Sequence, residues 1–236
     1  MLWLVPWLLA WPSHAGAPGV EADFDAGAWR LADGRVVKLA GIELPASRDM
    51  AEAAAVAAAI LATGPPVLEP EPAPLDRHGR LRVQLRGADD SWLQGELVQR
   101  GLAVVAPAAD VPGPVLAALL ALEATARADG RGLWAGGRSG PWPAERVAAE
   151  RGSYVLVRGR VQAVARTQEF VYLNFGDDWR RDFTVRVEAR RVRDLARAGL
   201  DLNQLGGRAL MVRGVLFEVN GPMIEVTHPA QIELLP

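Results

Sequence analysis

The sequence predicts a mixed α+β protein, mainly β, built as two units joined by a linker. Three observations carry this. Short runs such as "RLRVQLR" (residues 80–86) alternate strictly between apolar and polar side chains, the period of a half-buried strand. Long helical runs rich in alanine and leucine are confined to the first 130 residues. After residues 135–151, "AGGRSGPWPAERVAAER", three strand-like runs follow one another without a helix between them. The glycines and prolines that open this stretch mark it as the linker.

In the first unit, "AWRLA" and "RVVKLAGI" flank Asp33-Gly34, the dipeptide that suits a type I′ hairpin turn. Residues 48–62 lack any breaker and read as a helix capped by Ser47 and stopped by Gly64-Pro65-Pro66. The prolines of "PVLEPEPAPL" predict an extended sheet edge, since proline cannot donate to a central ladder. Ser91-x-x-Gln94 reads as a capping box opening the helix "WLQGELVQR", with Gly101 closing it. Residues 114–129 predict an amphipathic helix ending at Gly130. In the second unit, residues 152–236, "GSYVLVRGRVQAVA", "EFVYLNFG" and "DFTVRVEA" are strands and "RRVRDLARAG" is a short helix. "GRALMVRGVLFEV", an Asn220-Gly221 turn, "PMIEVTH" and "AQIELL" follow. Three strands, a helix and a closing hairpin is the order of a five-stranded OB-type barrel.

Composition narrows the chemistry. The 236 residues are half hydrophobic, which suits a sizeable core, and carry a formal net charge of −2. That gives no global attraction for nucleic acid. The charge is divided unevenly: residues 1–150 hold 13 basic against 18 acidic side chains, and residues 151–236 hold 13 against 10. With no cysteine there is no disulfide, thiolate metal site or cysteine nucleophile. The three histidines, His14, His78 and His228, are far apart and form no zinc-type spacing. The apolar opening "MLWLVPWLLAWPSHAGA" is shorter than a membrane span. Residues 1–17 read as a secretory signal with a small-x-small cleavage pattern, although its first residues carry no Lys or Arg. The alternative is a hydrophobic N-terminal strand or helix. The signal reading predicts an exported protein, periplasmic or extracellular, with no membrane span after the signal is removed.

Four stretches, "LADGRVVKLAGIELP", "LDRHGRLRVQL", "WLQGELVQRGLAVV" and "EATARADGRGLW", occur in an order and spacing that resembles the staphylococcal-nuclease-like (thermonuclease) family. The resemblance covers residues 25–134 and implies a five-stranded OB-type barrel packed against three helices. Residues 152–236 resemble the OB-like extension of some exported bacterial members. The resemblance also implies chemistry: hydrolysis of phosphodiesters with calcium held by carboxylates, a glutamate handling the attacking water, and two arginines clamping the phosphate.

Carried over residue by residue, that pattern is depleted here. The arginine of the Asp-x-x-Gly-Arg loop is Arg80, and Asp76 opens the loop. The other clamp arginine is Lys38, which keeps the charge but loses the planar fork. A metal-binding aspartate is Glu43, and the expected glutamate after the proline is Ala46. The earlier metal motif falls on Asp25-Ala26-Gly27-Ala28, where the carboxylate expected at Gly27 is missing. Asp25, Asp49 and Glu52 are the neighbours that could substitute, so Glu43 and Asp25 are the candidate metal ligands. No cofactor is expected, except calcium if hydrolysis persists. Lys38 and Glu43 are expected either as a salt bridge on a strand face or, with Lys38 beside Arg80, as a weak anion site.

Nucleic-acid contacts are expected from Arg80 and His78 in the first unit. In the second they are expected from Arg180, Arg181 and Arg190, interleaved with Tyr172, Phe175, Trp179 and Phe183. Basic side chains among aromatics suit single strands. The competing reading makes Tyr172, Phe175 and Phe183 core, leaves the arginines on a solvated face, and pairs Arg180 and Arg181 with Asp177, Asp178 and Asp182. Three functions remain: a nuclease-family binding or scaffold module whose hydrolysis is lost or weak, an active calcium-dependent phosphodiesterase with a rearranged metal site, and a periplasmic protein-interaction module.

Overall fold

The computed structural model describes residues 21–23, 28–31, 34–44, 50–76, 78–135, 141–150 and 152–236. The residues read as signal and Asp25, Ser47 and Asp49 lie outside the described set. The fold is mixed α+β. Among the described residues no helix is long and apolar enough to cross a membrane.

The first unit begins with β1 (Glu21–Asp23), β2 (Ala28–Arg30), β3 (Val36–Leu39) and β4 (Ile42–Glu43). Next come α1 (Met50–Leu61), β5 (Val67–Leu75), β6 (Leu81–Arg86), α2 (Leu93–Gln99), β7 (Val104–Val105) and α3 (Gly113–Ala128). One sheet runs β1-β2-β3-β6-β5, and β4 turns away to pair with β7. The proline-rich β5 is an edge strand with a register shift between Pro70 and Leu75, as its missing N–H donors require. Alternation puts Val37, Leu39, Val83 and Leu85 into the core. The helices close over that face: α1 buries Ala53, Val56, Ala57, Ile60 and Leu61, and α3 buries Leu116, Leu119, Glu123 and Ala126. Both sets follow the three-and-four spacing of one helix face.

The α2 start differs from expectation. Trp92 is its N-cap residue and makes no side-chain cap bond. Ser91 binds Asp89 instead. Gln94 is buried, donating to the Val83 carbonyl at 2.7 Å and accepting from the Leu85 N–H at 3.1 Å. A buried amide that can satisfy two groups of a neighbouring strand does so in preference to an exposed helix start. The far end is as expected: Gly101 has φ +70°, and the Leu102 N–H reaches back to Leu97.

The second unit starts with β8 (Trp142–Pro143), which pairs with β9 (Tyr154–Arg160). Ala144 and Val147 pack into the second core, so residues 142–147 of the expected linker are structural parts of this unit. Then follow β10 (Ala163–Arg166), β11 (Phe170–Asn174), β12 (Thr184–Glu188) and α4 (Val192–Arg197). The chain ends with β13 (Ala209–Glu218), β14 (Pro222–Glu225) and β15 (Ile232–Leu234). The path is β10-β11-β12-β14-β13-β9-β8, with β12 and β14 parallel and β15 on β13.

Closed barrels were expected, and the described ladders are open. In the second unit the outer strand β10 follows β9 directly in the chain, so one bent segment supplies one edge of the sheet and, near the other edge, the strand on which the two-residue β8 pairs. At the bend the Val161 N–H binds Arg208 and the Gln162 N–H binds Asn174. The ladder therefore changes partner there rather than running continuously round a ring.

The units meet through a small apolar cluster of Val104, Leu133, Leu156 and Met211 and a buried charge group. Arg213, 3% exposed, lies 2.7 Å from Glu123, 1% exposed, and donates to the Val105 carbonyl at 3.0 Å. The other Glu123 oxygen accepts from the Val105 N–H at 2.7 Å. Arg127 joins Glu123 at 3.3 Å and Glu233 at 2.9 Å. Glu123 and Arg213, the two fully buried charges here, thus each have an opposite charge and a hydrogen bond, the condition for keeping them in a dry interface. Tyr154 donates to the same Val105 carbonyl at 3.3 Å. Burial pushes its phenol far up, with Glu43 and Glu123 adding to the shift against Arg213.

Candidate functional site

The parallel pairing of β3 and β6 sets Lys38 opposite Arg82. Side chains on these positions point away from the core and make a polar sheet face. The turn at Ala40-Gly41 brings β4 back so that Lys38 Nζ donates to Glu43 Oε1 at 2.7 Å. Both side chains are about three-quarters covered, at 24% and 26% exposed. The salt bridge expected as one of two alternatives is the one found.

The Asp76–Arg80 loop is held by its first residue. Asp76 Oδ1 accepts from the backbone N–H of His78 at 2.8 Å and of Arg80 at 2.9 Å. Its Oδ2 accepts from Arg80 Nε at 2.7 Å. Burial pushes the carboxyl up, but those three hydrogen bonds and the Arg80 charge together outweigh it and hold Asp76 down at about 2. Arg82 pairs with Asp110. Arg86 lies between Glu69 at 3.5 Å and Asp90 at 3.4 Å, with Trp92 under its guanidinium. Gln84 fills the middle of the face: it donates to Glu71 at 2.6 Å and accepts from the Trp92 indole at 3.0 Å. Lys38, Arg80, Arg82 and Arg86 thus each face a carboxylate of their own.

This arrangement is poor for a phosphate and poor for calcium. An incoming phosphate would have to displace carboxylates already in contact with Lys38 and Arg80. A calcium ion takes six to eight oxygen ligands, whereas Glu43 here accepts from an ammonium. Among the described residues no three His, Asp or Glu side chains gather closely enough to hold a metal. The described residues by themselves do not fit the ion. Asp25 and Ala46 lie outside the described residues.

The predicted second-unit residues do not form one group. Arg190 and Arg191 both bind Glu188, at 2.9 and 3.0 Å, and Arg190 first, then Arg191, holds that carboxylate below its usual range. Arg180 and Arg181 stand on the loop between β11 and β12, where Arg180 lies 4.6 Å over the exposed Trp179 ring. Phe175 and Phe183 are core. Tyr172 lies on the opposite face, lining a pocket of about 340 Å³ with Ala165, Asn174, Trp179, Arg186 and Met223 among its walls. Sequence reasoning missed this pocket. The alternation of "FVYLN" separates Val171 and Leu173 from Tyr172 and Asn174, but nothing in the sequence says what lies opposite the outer set.

No curated protein matches the chain. Residues 36–136 match the family model described as staphylococcal nuclease homologue, so this part of the chain carries a domain of that family.

Proposed function

We propose that this is an exported nucleic-acid-binding member of the nuclease family that no longer hydrolyses phosphodiesters. The observation that carries the reading is the 2.7 Å contact between Lys38 and Glu43. The side chain at a clamp position and the side chain at a metal-ligand position neutralise each other. Arg80 and Asp76 repeat the pattern in the adjoining loop. Losing several electrostatic contacts of one catalytic constellation costs about 2–4 kcal/mol of transition-state stabilisation for each, which removes hydrolysis by orders of magnitude. The nuclease-family domain supports nucleic acid as the ligand class, and the apolar opening of the chain supports export to the periplasm or beyond.

The test is a calcium titration by calorimetry, paired with anisotropy of a labelled single-stranded oligonucleotide at several salt concentrations. The expected result is no calcium site in the millimolar range and oligonucleotide binding that weakens with salt, as counterion release requires. Calcium binding abolished by Glu43→Gln would support the alternative, a phosphodiesterase with a rearranged metal site. Absence of oligonucleotide binding, with a protein partner captured instead, would favour the interaction module.

A further inference from the structure

The 340 Å³ pocket lies on the outer face of β10, β11, β12 and β14. Its aromatic walls are Trp179 and Tyr172, and Met223, Val219 and Ala165 add apolar surface. Thr167, Asn174, Thr184 and Asn220 supply neutral hydrogen-bonding groups. Its one lining charge, Arg186, is held by Glu225 at 2.9 and 2.5 Å and packed between the Phe170 and Phe217 rings, 5.0 and 4.8 Å away. The interior therefore suits a flat, uncharged group with hydrogen-bonding edges.

The rim has a different character. Asp178 accepts from the Arg180 N–H and Asp182 accepts from the Asp178 N–H, so both carboxylates fasten the loop's own backbone. Asp177 stays exposed. Among the described residues no ion pair joins Arg180 or Arg181 to any carboxylate, in contrast to Lys38, Arg80, Arg82 and Arg86. The loop is braced from behind by the β13–β14 turn. Gly221, at φ +97°, lets that turn lie against Arg181, where a Cβ would stand 3.0 Å from its carbonyl carbon.

We propose that this pocket takes one unstacked base of a single-stranded nucleic acid, with Trp179 and Tyr172 as stacking surfaces and Arg180 and Arg181 meeting the flanking phosphates. A base has the flat face and polar edge the interior suits, and the phosphates on either side match two cations with no carboxylate of their own. Stacking on aromatic side chains tolerates any base, so the site reads strandedness more than sequence. The proposal rests on the nucleic-acid reading above and adds where and how the strand is held.

The test uses the full mature chain and a labelled ten-nucleotide single strand, read by anisotropy, beside Trp179→Ala, Trp179→Phe and an Arg180→Ala/Arg181→Ala double variant. Trp179 is exposed, so its replacement leaves the fold intact, which a thermal melt verifies. The expected result is binding that Trp179→Ala weakens roughly tenfold or more, that Trp179→Phe largely keeps, and whose salt slope falls by about 1 to 1.5 in the double variant. A duplex of the same sequence binds more weakly. Oligonucleotide binding unaffected by all three variants would overturn the pocket assignment and leave the nucleic-acid reading standing. No oligonucleotide binding by the wild-type protein would sink both. Trp179-dependent binding of a neutral oligosaccharide, with the single strand ignored, would overturn the ligand class while keeping the pocket.

Discussion

Asp76 ties the stability of its loop directly to pH. Its carboxyl is held at about 2 in the folded chain against an ordinary value of 3.8. A depressed folded value contributes stability that is complete above 3.8 and is lost as pH falls toward about 2. Asp76→Asn is therefore expected to cost about 2 kcal/mol at neutral pH, and the gap to wild type should close between about pH 4 and pH 2 in denaturant melts. His228 works in the same direction at higher pH. Its Nδ1 accepts from the Ala230 N–H at 3.2 Å, capping the short 3-10 turn Pro229–Gln231, and burial lowers its pKa from 6.5. Protonation removes the acceptor, so wild type should lose stability relative to His228→Asn as pH falls below about 6.5. Asn still caps and does not titrate. At this scale the sequence singled out Lys38, Glu43, Asp76 and Arg80, and the structure pairs Lys38 with Glu43 and Arg80 with Asp76. The sequence left open whether Lys38 would face Glu43 or share an anion with Arg80, because that depends on how Ala40-Gly41 turns.

Elements were legible wherever a period or a breaker spoke for them. The β2–β3 hairpin, the edge strand β5, the alternating β6 and the closing Asn220-Gly221 turn all follow from local rules. The Ser91/Gln94 capping box failed because a tertiary demand, hydrogen bonding to the backbone of Val83 and Leu85, outcompeted a local one. Gly101 is a sharper case. A Cβ there would stand 2.2 Å from the Arg131 carbonyl oxygen, and the neighbouring Gly132 approaches just as closely from the other side. Gly101→Ala thus meets both a left-handed backbone and a backbone clash, and is expected to cost about 3 kcal/mol or more, read as a lower midpoint in urea.

At the level of the whole molecule, the notable feature is the buried group formed by Glu123, Arg127, Arg213 and Glu233. Composition could not reveal it, because Glu123 on α3 and Arg213 on β13 look like ordinary surface charges in their own segments. The group ties the two units at the Val105 backbone, so they are expected to unfold in one transition. Arg213→Leu leaves Glu123 buried with only Arg127 beside it, and should cost about 3 kcal/mol and split the melt into two steps. Adding Glu123→Gln, which keeps an acceptor for the Val105 N–H, should recover part of that loss. The two units also differ in a way only the assembled fold shows: Lys38, Arg80, Arg82 and Arg86 each face a carboxylate, while among the described residues Arg180 and Arg181 form no ion pair.

Cleavage of labelled single- and double-stranded DNA by the mature protein, with and without millimolar calcium and beside Arg80→Ala, tests the central claim most directly. Neither protein is expected to cleave either substrate above background in either condition. Calcium-dependent cleavage by the wild-type chain that Arg80→Ala abolishes would contradict it, and would mean that Glu43 leaves Lys38 to bind the metal.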